Sequence, residues 1–209
     1  MALFEARHLA KRFGDQVVLE DITLGFEEGR LSGIMGPNGA GKTTCFNVLT
    51  GRYKPDRGSV IFAGEDITGL APRAIARKGI SRSFQIMNLF NDYAALDNVL
   101  VALPAKSLSY GERRALEIGV ALAAAPRMLF LDEPTAGLGA EGTARLAELV
   151  AELKRQLTIV IIEHDMKFLF GLADQVSVIH WGQVIAQGTP DQLRENEWVR
   201  RSNLGQLAA

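Results

Sequence analysis

The chain has 209 residues, of which 47% are hydrophobic and 22% charged, and its formal net charge is −1. This length allows one compact domain with a substantial core, and the near-zero charge argues against a dedicated nucleic-acid surface, which usually has a basic excess. The N-terminus lacks the pattern of a secretory signal, and no run of 18 apolar residues occurs. We therefore expect a cytoplasmic protein that does not itself span a membrane.

The first thirty residues have the pattern of short strands joined by turns, and a further strand follows the first predicted helix. Residues 3–12 and 17–26 are strand-like on either side of a turn at Gly14-Asp15, and residues 58–62 form a further strand. We expect these segments to form a small antiparallel sheet beside the main core.

A glycine-rich loop lies between a predicted strand at 31–35 and a predicted helix at 42–49. Its sequence is Gly36-Pro37-Asn38-Gly39-Ala40-Gly41-Lys42-Thr43-Thr44, which fits G-x-x-x-x-G-K-[ST] in full. The backbone N–H groups of such a loop surround nucleotide phosphates, and the following helix N-terminus adds its positive dipole end. Lys42 would reach the β- and γ-phosphates, and the Thr43 hydroxyl would bind Mg²⁺. The loop therefore predicts a site for a nucleoside triphosphate.

Helical and strand patterns alternate in the rest of the chain. Helices are predicted at 72–78, 110–124 and 140–155, and strands at 80–85, 128–132, 157–162, 175–180 and 184–186, the last two as a hairpin around Trp181-Gly182. This alternation predicts an α/β fold with a mostly parallel sheet.

Polar residues follow three of these strands, at the edge where ligands bind in open α/β sheets. Asp132 is suited to Mg²⁺, and Glu133 could polarise a water molecule for attack on the γ-phosphate. His164 could hydrogen-bond the γ-phosphate, and Gln85 could reach Mg²⁺ or the attacking water. A helix-capping acidic pair, a structural histidine and a surface glutamine are the alternative interpretations.

A second anion site is predicted at the start of the helix at 110–124. Ser109 and Glu112 have the spacing of a capping box, and helix initiation alone would explain both. A serine hydroxyl and the Gly111 amide at a helix N-terminus can also bind an anion. The chain already has one phosphate loop, so this site would face the γ-phosphate bound by a partner subunit.

The chain resembles the ATP-binding-cassette (ABC) ATPases over essentially its whole length. The resemblance depends on motifs in the family's order, namely the run at 36–44, Gln85, Leu-Ser-Tyr-Gly-Glu at 108–112, Asp132-Glu133 and His164. It implies an α/β P-loop fold over residues 1–209, and two such domains closing head to tail with ATP between one phosphate loop and the partner's Ser109 and Gly111. It also implies that Phe13 stacks on adenine, although a buried core phenylalanine is the competing interpretation.

Within that family, several short sequence motifs are most similar to those of the ATPases of branched-chain amino acid importers. The similar phrases are Phe46-Asn47-Val48-Leu49-Thr50-Gly51, the run at 64–70, Ser83-Phe84-Gln85 and the run at 162–166. This similarity implies a motor subunit on the inner face of the cell membrane that contacts a permease, with an external solute-binding protein as an indirect partner. ATPases of urea or amide import and of lipopolysaccharide export share much of the wording. A soluble ABC protein of DNA repair or translation, and a cassette that binds without turnover, are weaker alternatives.

Two features depart from the family pattern. Only 22 residues, Ile86 to Ser107, separate Gln85 from the run at 108–112, where the family has several helices. Either the helical sub-domain, at 86–125, is shortened, or a mobile segment is missing from the sequence at this point. We favour the second explanation. The second feature is Gly139, where the family usually has Asp or Asn, so contacts across the dimer through this loop are in doubt.

Overall fold

The computed structural model describes residues 2–83, 110–197 and 199, with only the backbone described at Tyr110. The elements, in chain order, are β1 (Ala2–Phe13), β2 (Gln16–Glu27), β3 (Leu31–Met35), α1 (Lys42–Leu49), β4 (Arg57–Phe62), β5 (Glu65–Asp66), α2 (Pro72–Arg77), β6 (Ile80–Arg82), α3 (Tyr110–Leu122), β7 (Met128–Asp132), α4 (Ala140–Leu153), β8 (Thr158–Ile162), α5 (Met166–Leu172), β9 (Gln175–His180), β10 (Gln183–Gly188) and α6 (Pro190–Glu195).

The ten strands of the described residues belong to one sheet, in the order β5-β4-β1-β2-β10-β9-β3-β8-β7-β6. Strands β9, β3, β8, β7 and β6 are parallel, whereas β1, β2, β4 and β5 pair antiparallel. The predicted α/β fold is confirmed. The N-terminal strands are antiparallel as expected, but they continue the main sheet through the parallel pair of Gln183 with Asp21.

The central strands are buried on both faces, which explains their near-continuous apolar sequences. In β7, Met128 and Phe130 contribute to the core under α1, while Leu129 and Leu131 contribute to the core under α3, α4 and α5. The ring of Phe130 lies 5.5 Å from that of Phe4 and 5.8 Å from that of Phe46. Phe130 therefore joins the N-terminal strands, the main sheet and α1 in one aromatic cluster.

The predicted elements agree with the structure apart from their ends and three omissions, the first of which is the two-residue strand β5. Helices α3 and α4 each end two residues before the predicted ends, and β6 is observed to Arg82, while residues 84 and 85 of that predicted strand lie outside the described part. Helices α5 and α6 were not predicted. Both are short, and each begins with a side-chain cap, since Asp165 accepts from the Phe168 N–H and Thr189 from the Gln192 N–H. No helix in the described part of the chain is long and apolar enough to cross a membrane.

Candidate nucleotide-binding site

The phosphate loop connects β3 to α1 and requires glycine at two of its positions. A Cβ at Gly36 would lie 2.1 Å from the carbonyl oxygen of Ile179, and one at Gly41 would lie 2.9 Å from that of Val18. Both glycines have positive φ, at 156° and 98°. The loop is therefore packed closely against β9 and β2, and α1 begins at Lys42 as predicted, with its N-terminus directed into the loop.

Lys42 is buried inside this loop. Its Nζ donates to the carbonyl oxygens of Gly36, at 2.8 Å, and Pro37, at 2.9 Å. Burial lowers the pKa of Lys42 from its usual value, while the nearby carboxylates of Glu133 and Asp132 oppose the shift. The ammonium group is thus held beside the acidic strand end, and it can exchange its carbonyl partners for phosphate oxygens.

The acidic pair after β7 lies beside the phosphate loop. In the sheet register Ile162 of β8 is opposite both Ile34 of β3 and Asp132 of β7, so these parallel strands end at the same edge. Asp132 is only 2% exposed, and burial, with a smaller contribution from Glu133, raises the pKa of its carboxyl group to about 6.

The charge of Asp132 has no full compensation among the described residues. Its Oδ1 is buried without a hydrogen-bond partner in residues 2–83, 110–197 and 199. A hard cation that brings its own charge and accepts carboxylate oxygen fits this position. Thr43, in the first turn of α1, is exposed and offers a hydroxyl oxygen as a further ligand. These residues therefore fit the predicted Mg²⁺.

Glu133 is held in a backbone conformation that is unusual for a residue with a side chain. Its φ is +43°, and its N–H donates to the carbonyl oxygen of Ile162 at 2.8 Å. Its side chain is 21% exposed, and its Oε1 lies 3.9 Å from Nδ1 of His164, whose side chain is 57% exposed. Both groups can therefore reach a ligand at the carboxyl edge of the sheet.

Glu163 was not predicted as a site residue, yet it joins the loops that follow β7 and β8. It is fully buried, and its Oε1 accepts hydrogen bonds from the N–H and the hydroxyl of Thr135. Its Oε2 accepts from the backbone N–H groups of His164, at 2.7 Å, and Asp165, at 3.3 Å. These bonds fix the loop of Glu133 relative to the loop of His164.

Arg114 of α3 is a second site residue that the sequence reasoning missed. Its guanidinium donates to the carbonyl oxygens of three consecutive residues, at 2.8 Å for Asp132, 2.9 Å for Glu133 and 3.2 Å for Pro134. Its Nη1 also pairs with the buried carboxylate of Glu117 at 2.6 Å. Helix α3, which begins within the Leu-Ser-Tyr-Gly-Glu run, is thereby connected to the backbone of the acidic strand end.

The remaining predicted residues lie in three places. Phe13, at the end of β1, is 43% exposed and meets the ring of Tyr53 edge-on at 5.2 Å, so it does not belong to the core. Gly111 lies in the first turn of α3 and Gly139 immediately before α4. Gln85 and Ser109 lie outside the described residues.

A phosphate loop at the carboxyl edge of a parallel sheet, next to a strand ending in Asp-Glu, defines the class of P-loop nucleotide-binding proteins. A family model described as "ABC transporter" matches residues 19–136. The high-affinity branched-chain amino acid transport ATP-binding protein BraF of Pseudomonas aeruginosa is 36% identical, with 98% of each chain covered. The lipopolysaccharide export system ATP-binding protein LptB of Acidithiobacillus ferridurans is 32% identical, with 97% of each chain covered. The chain belongs to the ABC transporter family and is an ABC transporter ATPase.

A solved structure supports the same assignment. MJ1267, an ATP-binding cassette of an ABC transporter, crystallised in its ADP conformation, superimposes with a TM-score of 0.91 and 27% identity over 98% of this chain and 99% of its own. The alignment with BraF extends over 250 positions, whereas this chain has 209 residues. At least 41 positions of that alignment therefore have no residue in this chain.

Proposed function

We propose that the chain is the ATP-hydrolysing motor subunit of an importer of branched-chain amino acids. The likeness to BraF over nearly the full length of both chains supports this solute class. The single observation that supports hydrolysis best is the meeting of three groups at one sheet edge, namely Lys42 in the phosphate loop, the pair Asp132-Glu133 and His164.

In this proposal, the run from Gly36 to Thr44 binds the phosphates and Phe13 stacks on the adenine. Lys42 neutralises charge on the β- and γ-phosphates. Thr43, Asp132 and Gln85 would hold Mg²⁺, which when bound would stabilise negative charge on the phosphates.

Glu133 acts as the general base. It accepts a proton from a water molecule as that water attacks the γ-phosphorus and the bond to the β-phosphate oxygen breaks, which yields ADP and phosphate. His164 donates a hydrogen bond to the γ-phosphate, and Gln85 orients the water. The bonds of Glu163 to both loops keep the base and the histidine in a fixed relation, so that little reorganisation is needed during the reaction.

We further propose that ATP hydrolysis requires a second ABC ATPase subunit, whose Ser109 and Gly111 complete the site from the opposite side. Closure around ATP and opening after hydrolysis would act on membrane permease subunits, with a solute-binding protein as an indirect partner. The protein would accordingly lie on the cytoplasmic face of the cell membrane. A helical sub-domain at 86–125 shorter than in relatives is consistent with the gaps in the alignment with BraF.

Lipopolysaccharide export is the second candidate, because LptB is 32% identical over a similar share of the chain. Urea or amide import is supported only by the shared sequence motifs. Two steps distinguish these functions. The chain is co-purified with its native membrane partners, and the ATPase activity of the reconstituted complex is then measured. An importer of branched-chain amino acids is expected to hydrolyse ATP faster when leucine, isoleucine or valine and a solute-binding protein are added, and lipopolysaccharide is expected to have no effect.

The catalytic assignment is tested with Glu133→Gln. The variant should retain ATP affinity and lose at least about a hundredfold in hydrolysis rate, because only the proton acceptor is removed. Glu28→Gln is the matched control, since Glu28 is 62% exposed and precedes β3, at the end of that strand opposite the phosphate loop. Wild-type turnover in Glu133→Gln would contradict the proposed mechanism.

A further inference from the structure

The turn between β9 and β10 carries the most exposed large hydrophobic side chain of the described residues. Trp181 is 82% exposed and stacks only against His180, with ring centroids 4.6 Å apart. Trp181 and Gly182 form a two-residue hairpin loop in which both residues have positive φ, at 46° and 72°. Such loops favour Asn, Asp or Gly at the first position, so a tryptophan there is unfavourable for local structure.

The turn is fixed to the phosphate loop. The N–H of Gly182 donates to the carbonyl oxygen of Ala40 at 3.1 Å, and its carbonyl oxygen accepts from the N–H of Glu20 at 2.9 Å. A Cβ at Gly182 would lie 2.5 Å from the carbonyl oxygen of Val18, so the backbone has no room to move on that side. Trp181 is thus held beside the phosphate loop, at the edge of the sheet that receives the nucleotide.

A groove of about 490 Å³ lies between α3 and α4, next to the start of the Leu-Ser-Tyr-Gly-Glu helix. Its lining combines apolar and small residues, among them Leu138, Leu149, Ala115 and Gly111, with the charged residues Glu112, Arg114, Glu141 and Arg145. Arg145, whose side chain is 77% exposed, lies at its margin and offers a guanidinium plane on which an aromatic ring can stack. The volume is more than large enough for an indole ring, and the apolar residues of the lining can pack against it.

Gly139, one of the two departures from the family pattern that the resemblance indicates, forms part of this groove. A Cβ placed at Gly139 would have no other atom within 4 Å, so the missing side chain leaves open space. The chain therefore has an exposed aromatic residue beside its phosphate loop and additional room beside Gly111, the residue that would face a partner's phosphate loop.

We propose that Trp181 of one copy docks into the α3–α4 groove of a second copy when two copies close around ATP. This inference rests on the proposed head-to-tail dimer, in which the phosphate loop of each copy faces Gly111 of the other. Trp181 is attached to the phosphate loop, and the groove adjoins Gly111. The head-to-tail arrangement therefore brings Trp181 of one copy toward the groove of the other. Because the dimer is two-fold symmetric, the contact occurs twice. Each copy contributes Trp181 to one contact and its α3–α4 groove to the other.

The experiment measures ATP-dependent dimerisation of the full chain by sedimentation velocity, in the Glu133→Gln background that retains ATP. Trp181→Asn places the residue that the hairpin loop prefers, so it should leave the melting temperature unchanged or raise it. It should also raise the dimer dissociation constant at least about tenfold, because buried tryptophans contribute strongly to interfaces. Val120→Gln, which changes another exposed apolar residue, is the control and should have no effect.

A double-mutant cycle identifies the receiving surface. Ala115→Gln fills the groove from an exposed helical position and should weaken the dimer, and combining it with Trp181→Asn should weaken it no further. Additive effects of the two changes would overturn the docking of Trp181 in this groove. The inference also fails if the dimer forms normally with Trp181→Asn, and the proposed function then stands. It fails as well if Trp181→Asn lowers ATP affinity as much as it lowers dimerisation. If Glu133→Gln with ATP never dimerises, the head-to-tail dimer itself is wrong, and this inference with it.

Discussion

Replacing Asp132 by asparagine is expected to stabilise the protein without nucleotide or metal, while removing its Mg²⁺-dependent affinity for ATP. Burial raises the pKa of this carboxyl group from 3.8 to about 6, so near neutral pH the fold holds a charge that the unfolded chain carries more easily. This rise in the pKa of Asp132 corresponds to about 3 kcal/mol of destabilisation near neutral pH. Asparagine keeps the shape but needs partners for its amide, so we expect a gain of about 1–2 kcal/mol, or about 2–8 °C in melting temperature.

The pH dependence provides the sharper assay. The pKa is higher in the folded than in the unfolded state, so the folded state binds the proton more tightly between about pH 4 and 6. The destabilisation by Asp132 is therefore complete above about pH 6 and disappears as the pH falls toward 4. Thermal unfolding in EDTA should show a clear advantage of Asp132→Asn at about pH 7.5 that shrinks at about pH 4.5.

The control is Asp191→Asn, because the side chain of Asp191 is 90% exposed and its replacement should change little at either pH. The reasoning would be refuted by a melting temperature of Asp132→Asn equal to or below that of the wild type at about pH 7.5. An advantage that stays constant down to about pH 4.5 would refute it as well.

Two further substitutions test the residues that position the catalytic loop. Arg114→Lys replaces a guanidinium that contacts three carbonyl groups, so urea unfolding should show a loss of about 2–4 kcal/mol. The control Arg77→Lys, at an exposed position of α2, should lose much less, and equal losses would contradict the assigned contacts. Glu163→Gln turns an amide group toward backbone donors at Thr135 or His164, so phosphate release should slow at least about tenfold at saturating ATP, while ATP affinity measured by equilibrium dialysis stays within about threefold. An unchanged rate would show that the two loops do not need this connection.

The sequence predicted those parts of the site in which a motif and an element boundary coincide. The helix from Lys42, and the strand from Met128 to Asp132, were predicted with their observed ends, because glycine or acidic residues directly adjoin apolar runs. The pairing of β3 and β7 with β8 then brings these motifs to one sheet edge.

The roles of Arg114 and Glu163 could not be predicted, because each depends on partners distant in the chain. Arg114 reads as one of several charged residues on an amphipathic helix, and its contacts with residues 132–134 exist only after α3 packs against β7. Glu163 adjoins His164, and its bond to Thr135 spans 28 residues. A buried arginine or glutamate is recognisable only once the surrounding fold is known.

The joint between the antiparallel strands and the parallel core has a mechanical consequence. The two parts of the sheet meet through one registered pair, Gln183 with Asp21, and through the carbonyl oxygen of Gly182, which accepts from Glu20 and Asp21. In the proposed binding mode, the adenine contact at Phe13 lies on one side of this joint and the phosphate contact at Lys42 on the other. A bound nucleotide then acts as a brace across this joint, in addition to the aromatic cluster around Phe130, and its departure removes one of the connections between the two parts.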